Sequence, residues 1–343
     1  MKIKNQILYF VALISVTLLT YSCSETSEDV VKLPSIVDIA KADPTNFSIL
    51  VDALTKTSLA TTLSNPGSYT VFAPTNAAFT AAGITSASIN ALNPNVPADA
   101  TAIANLKLVL QNHVIGIGTR STDLLAGGYF KTFGFLKTSS SSTSGANLSM
   151  YINKPAADVL INGGATNGGA KVTAADIDAS NGVVHVIDAV LALPTIVQQA
   201  AANPTLSTLV GVVKTPAQST VLATLTAATG SAPVSIYAPT NDAFSTALGT
   251  GGYLVGKSDA DVTKILNYHL EKSNRVAAST TAFSTSADIT VTTLFPTYTL
   301  VLTRGTLKIV DKSTPAVNGN ATVLNIQGTN GSIQIVDKVL RSL

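Results

Sequence analysis

TVFAPTNAAF runs from Thr70 to Phe79, and SIYAPTNDAF runs from Ser235 to Phe244. The two stretches read alike. In the first, Tyr69 to Phe72 favours a strand, Pro74 cannot donate to a ladder and ends it, and Thr75 or Asn76 caps a helix N-terminus. In the second, Asp242 falls in the first helical turn, where a negative charge suits the helix dipole. Phe79 and Phe244 sit one turn in, placed to anchor that helix to a core. A strand, a stop and a helix start written twice predict a duplicated domain, and the flanking sequence repeats in step with them.

LPSIVDIAKADPTNFSIL (Leu33 to Leu50) returns, with one gap, as LPTIVQQAAANPTLSTL (Leu193 to Leu209). In this opening block Ile36, Val37, Ile39 and Ala40 recur at helical spacing. Asp43-Pro44 and Asn203-Pro204 then stop that helix, because the residue before proline is pushed out of the helical region. A second helix follows, with Phe47, Leu50, Val51 and Leu54 on one face. NGVVHVIDAVL (Asn181 to Leu191) returns as NGSIQIVDKVL (Asn330 to Leu340). Each Asn-Gly pair predicts a hairpin turn. Val184 and Val186 match Ile333 and Ile335 on one face of the following strand, His185 and Gln334 share the other, and Asp188 and Asp337 occupy the same late position. Between these blocks LKLVLQNHVI (Leu106 to Ile115) and VTKILNYHL (Val262 to Leu270) both read as a helix ending in a histidine. Helices in the first half of each copy and strands in the second give an α+β pattern. The TSSSSTSG stretch (Thr138 to Gly145) is a low-complexity loop that lengthens the first copy. The link LALPT (Leu191 to Thr195) contains Pro194 and no glycine, which predicts a fairly fixed mutual orientation of the two domains.

These blocks, in this order, resemble the fasciclin domain. The APTN stretches resemble its first signature; NGVVHVIDAVL is close to its second, and NGSIQIVDKVL is a drifted copy. His113 and His269 fall where the family carries a Tyr-His pair, which Tyr268-His269 keeps and Asn112-His113 has lost. The resemblance covers almost everything after the N-terminal tether. It implies two tandem β-wedge domains, each of about seven strands flanked by several helices, and extracellular adhesion or matrix contact without catalysis. One match carries a candidate binding site. In animal members an Asp-Ile pair shortly before the second signature is linked to integrin recognition, and ADIDASNGVVHVI places Asp176-Ile177 there. The second copy has Asn325-Ile326 instead. The resemblance makes Asp176, Ile177, His113, Tyr268 and His269 candidate binding residues. The favoured reading of Asp176 is nonetheless a strand-edge or turn acid that stabilises the hairpin, and that of His113, His185 and His269 a hydrogen-bonded structural imidazole.

The N-terminus reads separately. Lys2 and Lys4 precede an apolar run from Ile7 to Leu19, shorter than the ~20 residues that span a bilayer. A basic start, a short apolar core and small or polar residues predict a secretory signal over 1–22. Cys23, the single cysteine, resembles the lipobox cysteine of bacterial lipoproteins, although Tyr21 is unusual in such a box. Residues 23–34 then form a lipidated cysteine and flexible tether that includes the acidic SETSED, followed by domains at 35–193 and 194–343. The expected location is the outer membrane or cell surface, with a lipid anchor on Cys23.

Charge narrows the partners. The chain has 21 basic and 19 acidic residues, and loss of Lys2 and Lys4 leaves a neutral mature protein with no basic block. Nucleic acid is therefore not the expected partner. A lone leader cysteine leaves no thiol in the mature body for catalysis, metal binding or disulfides. Three histidines, none close to another, make no H-E-x-x-H helix, and no G-x-S-x-G elbow occurs. GGYLVGKS (Gly251 to Ser258) matches P-loop spacing, but a helix rather than a strand precedes it, so it reads as a surface loop. NGGATNGGA (Asn162 to Ala170) reads as a loop between strands. No cofactor and no enzymatic activity are expected. The function expected is a surface module for an extracellular protein or matrix component. The alternative is a glycan-binding accessory lipoprotein, which needs a polar groove with exposed aromatics; the absence of tryptophan counts against it.

Overall fold

The computed structural model describes residues 33–124, 127–136, 146–155, 158–276, 287–295, 299–311 and 317–341. The expected leader, Cys23 and acidic tether, up to residue 32, and the serine-rich stretch at 138–145 lie outside them.

The first repeat starts with helices α1 (Ile36–Ala42), α2 (Pro44–Lys56) and α3 (Leu59–Ser64). Ser35 opens α1 with a reciprocal capping box to Asp38, and Asp43 both ends α1 and caps α2. Strand β1 (Tyr69–Pro74) leads into α4 (Asn76–Ala81), α5 (Ser86–Ala91) and α6 (Pro97–Gln111). Strands β2 (Val114–Ile115), β3 (Gly128–Leu136), β4 (Ala146–Asn153), β5 (Leu160–Ile161), β6 (Ala170–Ala179) and β7 (Gly182–Ile187) follow. They close into a barrel in chain order, with β7 returning parallel to β1.

The second repeat has α7 (Ile196–Ala202), α8 (Ser207–Val213) and α9 (Ser219–Ala227), then β8 (Val234–Pro239), α10 (Asn241–Leu248) and α11 (Asp259–Tyr268). Strands β9 (Leu270–Glu271), β10 (Ile289–Thr292), β11 (Thr299–Leu302), β12 (Lys308–Val310), β13 (Asn318–Gly328) and β14 (Gly331–Val336) complete it. Its seven strands run in the order β10-β11-β12-β13-β14-β8-β9, again with the last strand parallel to the APTN strand. Only an isolated bridge, Glu271 to Thr293, joins its two edges among the described residues.

Each sheet has two apolar faces. On the helix side of the first repeat, Ile36, Phe47, Leu54, Phe79 and Val184 form one buried cluster; Phe72, Met150, Ile161 and Ile187 form another on the opposite face. The second repeat repeats the division, with Ile196, Leu209, Phe244 and Ile333 against Tyr237, Leu300, Ile309 and Val336. Period-two alternation in β1, β7, β8 and β14 serves both clusters at once.

The repeated motifs hold the fold by contacts that local patterns do not reveal. Thr75 is the cap of α4, accepting from Ala78 N at 3.2 Å, and Thr240 caps α10 in the same way. Asn76 has a different task. Its Oδ1 accepts from Ile49 N at 2.9 Å, while Nδ2 donates to Pro44 O, Thr45 O and Ser48 Oγ. Asn241 does the same to Thr208 N, Pro204 O and Ser207 Oγ. The Asn of APTN therefore ties the helix after the strand to the helix segment that starts at the D-P or N-P break.

The Asn-Gly hairpin reading needs a correction of one residue. The turns are Ser180-Asn181 and Thr329-Asn330, and each glycine opens the following strand opposite Ala179 or Gly328. Neither turn asparagine has positive φ, so the Asn-Gly pair does not form the expected primed turn. Asn181 is buried instead, accepting from Ile36 N at 3.0 Å and donating to Leu63 O at 2.7 Å. Asn330 mirrors it with Ile196 N and Leu225 O. Gly182 and Gly331 are needed for close approach: a Cβ there would stand 2.0 Å from Tyr69 O and 1.8 Å from Val234 O.

Candidate functional site

Asp176 sits in β6 at a register shift between Ala174 and Ile177, a bulge rather than the hairpin turn itself. Its φ of 63° is left-handed, and Asn325, at the same place in β13, has φ 60°. Asp and Asn tolerate this region better than most side chains. The backbone N–H freed by each bulge is caught by the adjacent strand. Asp176 N donates to His185 Nδ1 at 3.2 Å, and Asn325 N donates to Gln334 Oε1 at 2.9 Å.

The other end of each of these side chains holds the loop after β2 or β9. With Nδ1 accepting, His185 carries its proton on Nε2, which donates to Thr119 O at 3.0 Å. Gln334 Nε2 donates to Arg275 O at 2.9 Å. Thr119 N in turn donates to Thr70 Oγ1, and Arg275 N to Ser235 Oγ. His185 and Gln334 thus make equivalent hydrogen bonds, although the His185 ring also stacks on Phe72 with centroids 5.5 Å apart, and burial keeps the imidazole below its ordinary pKa, against opposing pulls from Thr119 and Asp176.

Past this shared frame the repeats part. In the first, Ser121 donates twice to Asp176, from N to Oδ1 at 2.7 Å and from Oγ to Oδ2 at 2.5 Å. Partial burial pushes the Asp176 carboxyl up, but the Ser121 bonds outweigh it and hold the group below the usual carboxylate range. Arg120 pairs with Asp178 at 2.6 Å, both about half exposed. Ile177 pairs with Val184 and packs against the helix-side core. In the second repeat Arg275 turns inward to Glu271, which also accepts from the buried Tyr237 hydroxyl at 3.0 Å. Sequence reasoning missed Ser121, whose counterpart, counted from the Thr119 and Arg275 pair, is Ala277, outside the described residues.

The second bulge is also covered. Lys131 Nζ donates to Asn325 O, and Gln327 N donates to Ser149 Oγ at 2.9 Å. Gln199 Nε2 donates to Ser149 O, and the Tyr129 hydroxyl to Gln199 O at 2.9 Å. The Gly-rich loop at Asn162–Ala170 joins this contact: Asn167 Nδ2 donates to Gln198 O at 2.8 Å, and Gly163 and Gly168 leave room for α7. Gln327, which gives its N–H to this contact, is 1% exposed, whereas Asp178, its counterpart, is exposed. The surface that stays open in the first repeat is, in the second, the contact between repeats.

The remaining candidates lie inside. His113, Tyr268 and His269 are buried at 2%, 0% and 2% exposure, so they line no surface that a partner reaches. Each imidazole bridges a helix end to the closing block. His113 Nδ1 pairs with Val109 O at 2.7 Å, and Nε2 accepts from Leu191 N at 2.9 Å. His269 does the same with Ile265 O and Leu340 N. Desolvation drives both to a pKa of about 4 against smaller hydrogen-bond effects. Asn112, in place of the lost tyrosine, links Thr132 to Ala192 O. Gly251–Ser258 follows a helix, as expected; Ser258 caps α11 and Lys257 lies over the Tyr253 ring. Among the described residues no group of three or more His, Cys, Asp or Glu could hold a metal ion, and no helix is long and apolar enough to cross a membrane.

The family-model match agrees with this duplicated architecture. The family model described as Fasciclin domain matches twice, over residues 45–194 and 204–342. The uncharacterized protein sll1735 of Synechocystis sp. (strain ATCC 27184 / PCC 6803 / Kazusa) is 32% identical over 163 residues, covering 46% of this chain and 98% of the relative. A solved FAS1 domain pair from the insect cell adhesion molecule Fasciclin I aligns with 88% of this chain and 94% of its own, at 16% identity and a TM-score of 0.44.

Proposed function

Because the chain belongs to the fasciclin domain family and carries two copies of a domain that generally serves adhesion or binding, we propose that it is a non-catalytic surface module. In this reading it is exported, anchored by lipid on Cys23 at the outer membrane or cell surface, and meets an extracellular protein or matrix component. The contact edge is the Asp176 bulge of the first repeat. The observation that carries this choice is the asymmetry between the bulges. The Asn325 bulge is occupied by Lys131 and Ser149 of the first repeat, while Asp176, Arg120 and Asp178 present fixed charges at an open edge. Ser121 holds the carboxylate in one orientation, which lowers the entropy lost when a partner docks.

Protease shaving of intact cells tests the location. Loss of the protein from shaved cells is the expected result; full protection would overturn surface display. Pull-down with the full chain then tests the edge, with Asp176→Asn expected to lose partners that Asn325→Asp retains.

A further inference from the structure

Between the two repeats lies a groove of about 450 Å³ that the adhesive edge does not use. Its size falls within the ~300–1,000 Å³ typical of small-molecule sites. Tyr129 and Tyr151 line one wall; Thr205, Thr240, Asp242 and Thr322 of the second repeat line the other. The two tyrosines are direct cross-strand neighbours on β3 and β4, with ring centroids 4.7 Å apart and planes at 56°. The Tyr129 hydroxyl is committed to Gln199 O, which fixes its ring. Tyr151 differs. It is 6% exposed, and among the described residues its hydroxyl makes no hydrogen bond. The oxygen itself is not enclosed, and it lines the groove with its hydrogen-bonding capacity unused. Gly127, at φ 97°, keeps that corner open, since a Cβ there would stand 2.6 Å from the Tyr151 hydroxyl.

The opposite wall is rich in oxygen. Thr205 Oγ1 donates to Asn203 Oδ1 at 2.9 Å and retains its acceptor capacity. Thr240 Oγ1 accepts from Ala243 N and keeps its own hydrogen to give. Asp242 adds an exposed carboxylate, and no lysine or arginine is among the lining residues. That charge pattern disfavours phosphates and acidic sugars. Hydroxyls and one carboxylate beside two tyrosine side chains suit a neutral polyhydroxylated molecule, whose hydroxyls exchange hydrogen bonds with both walls.

We propose that the groove between the repeats binds a short neutral saccharide, with the Tyr151 hydroxyl and Asp242 carboxylate as its polar anchors. This site does not depend on the adhesive role of Asp176. The groove exists only because two repeats meet.

The test is the full chain on an array of neutral gluco-, manno-, galacto- and xylo-oligosaccharides of two to six units, followed by titration calorimetry on the best binder. Tyr151→Phe removes one oxygen and keeps the ring, and Asp242→Asn removes only the charge, so both variants are expected to melt with the parent. Each is expected to weaken saccharide binding about fivefold or more, while Asp176→Asn leaves it unchanged. No binding anywhere on the array, or an affinity unmoved by both variants, would overturn the assignment. So would retention of tetramethylammonium through the same residues, which would mark a cation site instead.

Discussion

The Asp176 and Asn325 bulges share backbone, register and braces, and differ in what covers them. Both take left-handed φ, both give their N–H to a side chain of the adjacent strand, and both strands run beside an APTN strand. Asp176 and Asn325 are half-buried alike, yet two residues on, Asp178 is exposed while Gln327 is buried against the sister repeat. Duplication supplied two copies of one edge; packing consumed the second and left the first. The lesson is that a repeated feature fixes the frame, while the unrepeated residues around it decide what each copy leaves open.

Substitutions in the shared frame should act alike in both copies. Gly182→Ala and Gly331→Ala each drive a Cβ into a backbone carbonyl at about 2 Å. Each is expected to cost more than about 4 kcal/mol or to prevent folding, read by urea denaturation. A large effect in one repeat only would break the equivalence of the two frames.

Acid is the next largest effect. His113 and His269 have folded pKa values pushed down to about 4, below the ~6.5 of an unfolded histidine. Between those values the unfolded chain binds more protons, so stability falls as pH drops from 6.5 towards 4 and is retained above 6.5. Each buried imidazole should contribute about 3 kcal/mol of that loss. Urea midpoints at pH 7, 5.5 and 4.5 check the direction; a flat profile would remove the buried neutral pair from the account.

The third prediction addresses the difference between the edges. Ser149, 1% exposed, accepts Gln327 N across the inter-repeat contact. Ser149→Ala should cost about 1–3 kcal/mol through the orphaned donor and should broaden the ensemble of inter-repeat orientations in small-angle scattering. An unchanged scattering profile would show that the contact does not set the orientation. The smallest effect is expected for His185→Gln. Gln334 already performs the same two hydrogen bonds, so the change should cost only the ring contact with Phe72, about 1 kcal/mol by thermal melt. A loss several times larger would show that His185 does more than brace.

Much of this frame is legible in the sequence because its signals are local and written twice. The strand, stop and helix at Thr70–Phe79, the breaks at Asp43-Pro44 and Asn203-Pro204, and the histidine at each helix end can be read directly. What the asparagines do is not legible. Asn76 reaches Ile49, and Asn181 reaches Ile36 and Leu63; composition rules for caps and turns carry no information about partners so far away in the chain. Ser121 and the groove were hidden for the same reason. Ser121 meets Asp176 across 55 positions, and Tyr151 and Asp242 line one groove only through inter-repeat packing. The nearest sequence clue was the mismatch between the copies at Asp176 and Asn325.

That mismatch gives the most direct test of the central claim, that the open Asp176 edge is the binding surface. Beads coated with the full chain would be scored for attachment to cell-surface and matrix preparations, in parallel with Asp176→Asn and Asn325→Asp beads of matched melting temperature. The expected result is attachment reduced at least severalfold by Asp176→Asn and unchanged by Asn325→Asp. Equal attachment of the parent and Asp176→Asn would contradict it.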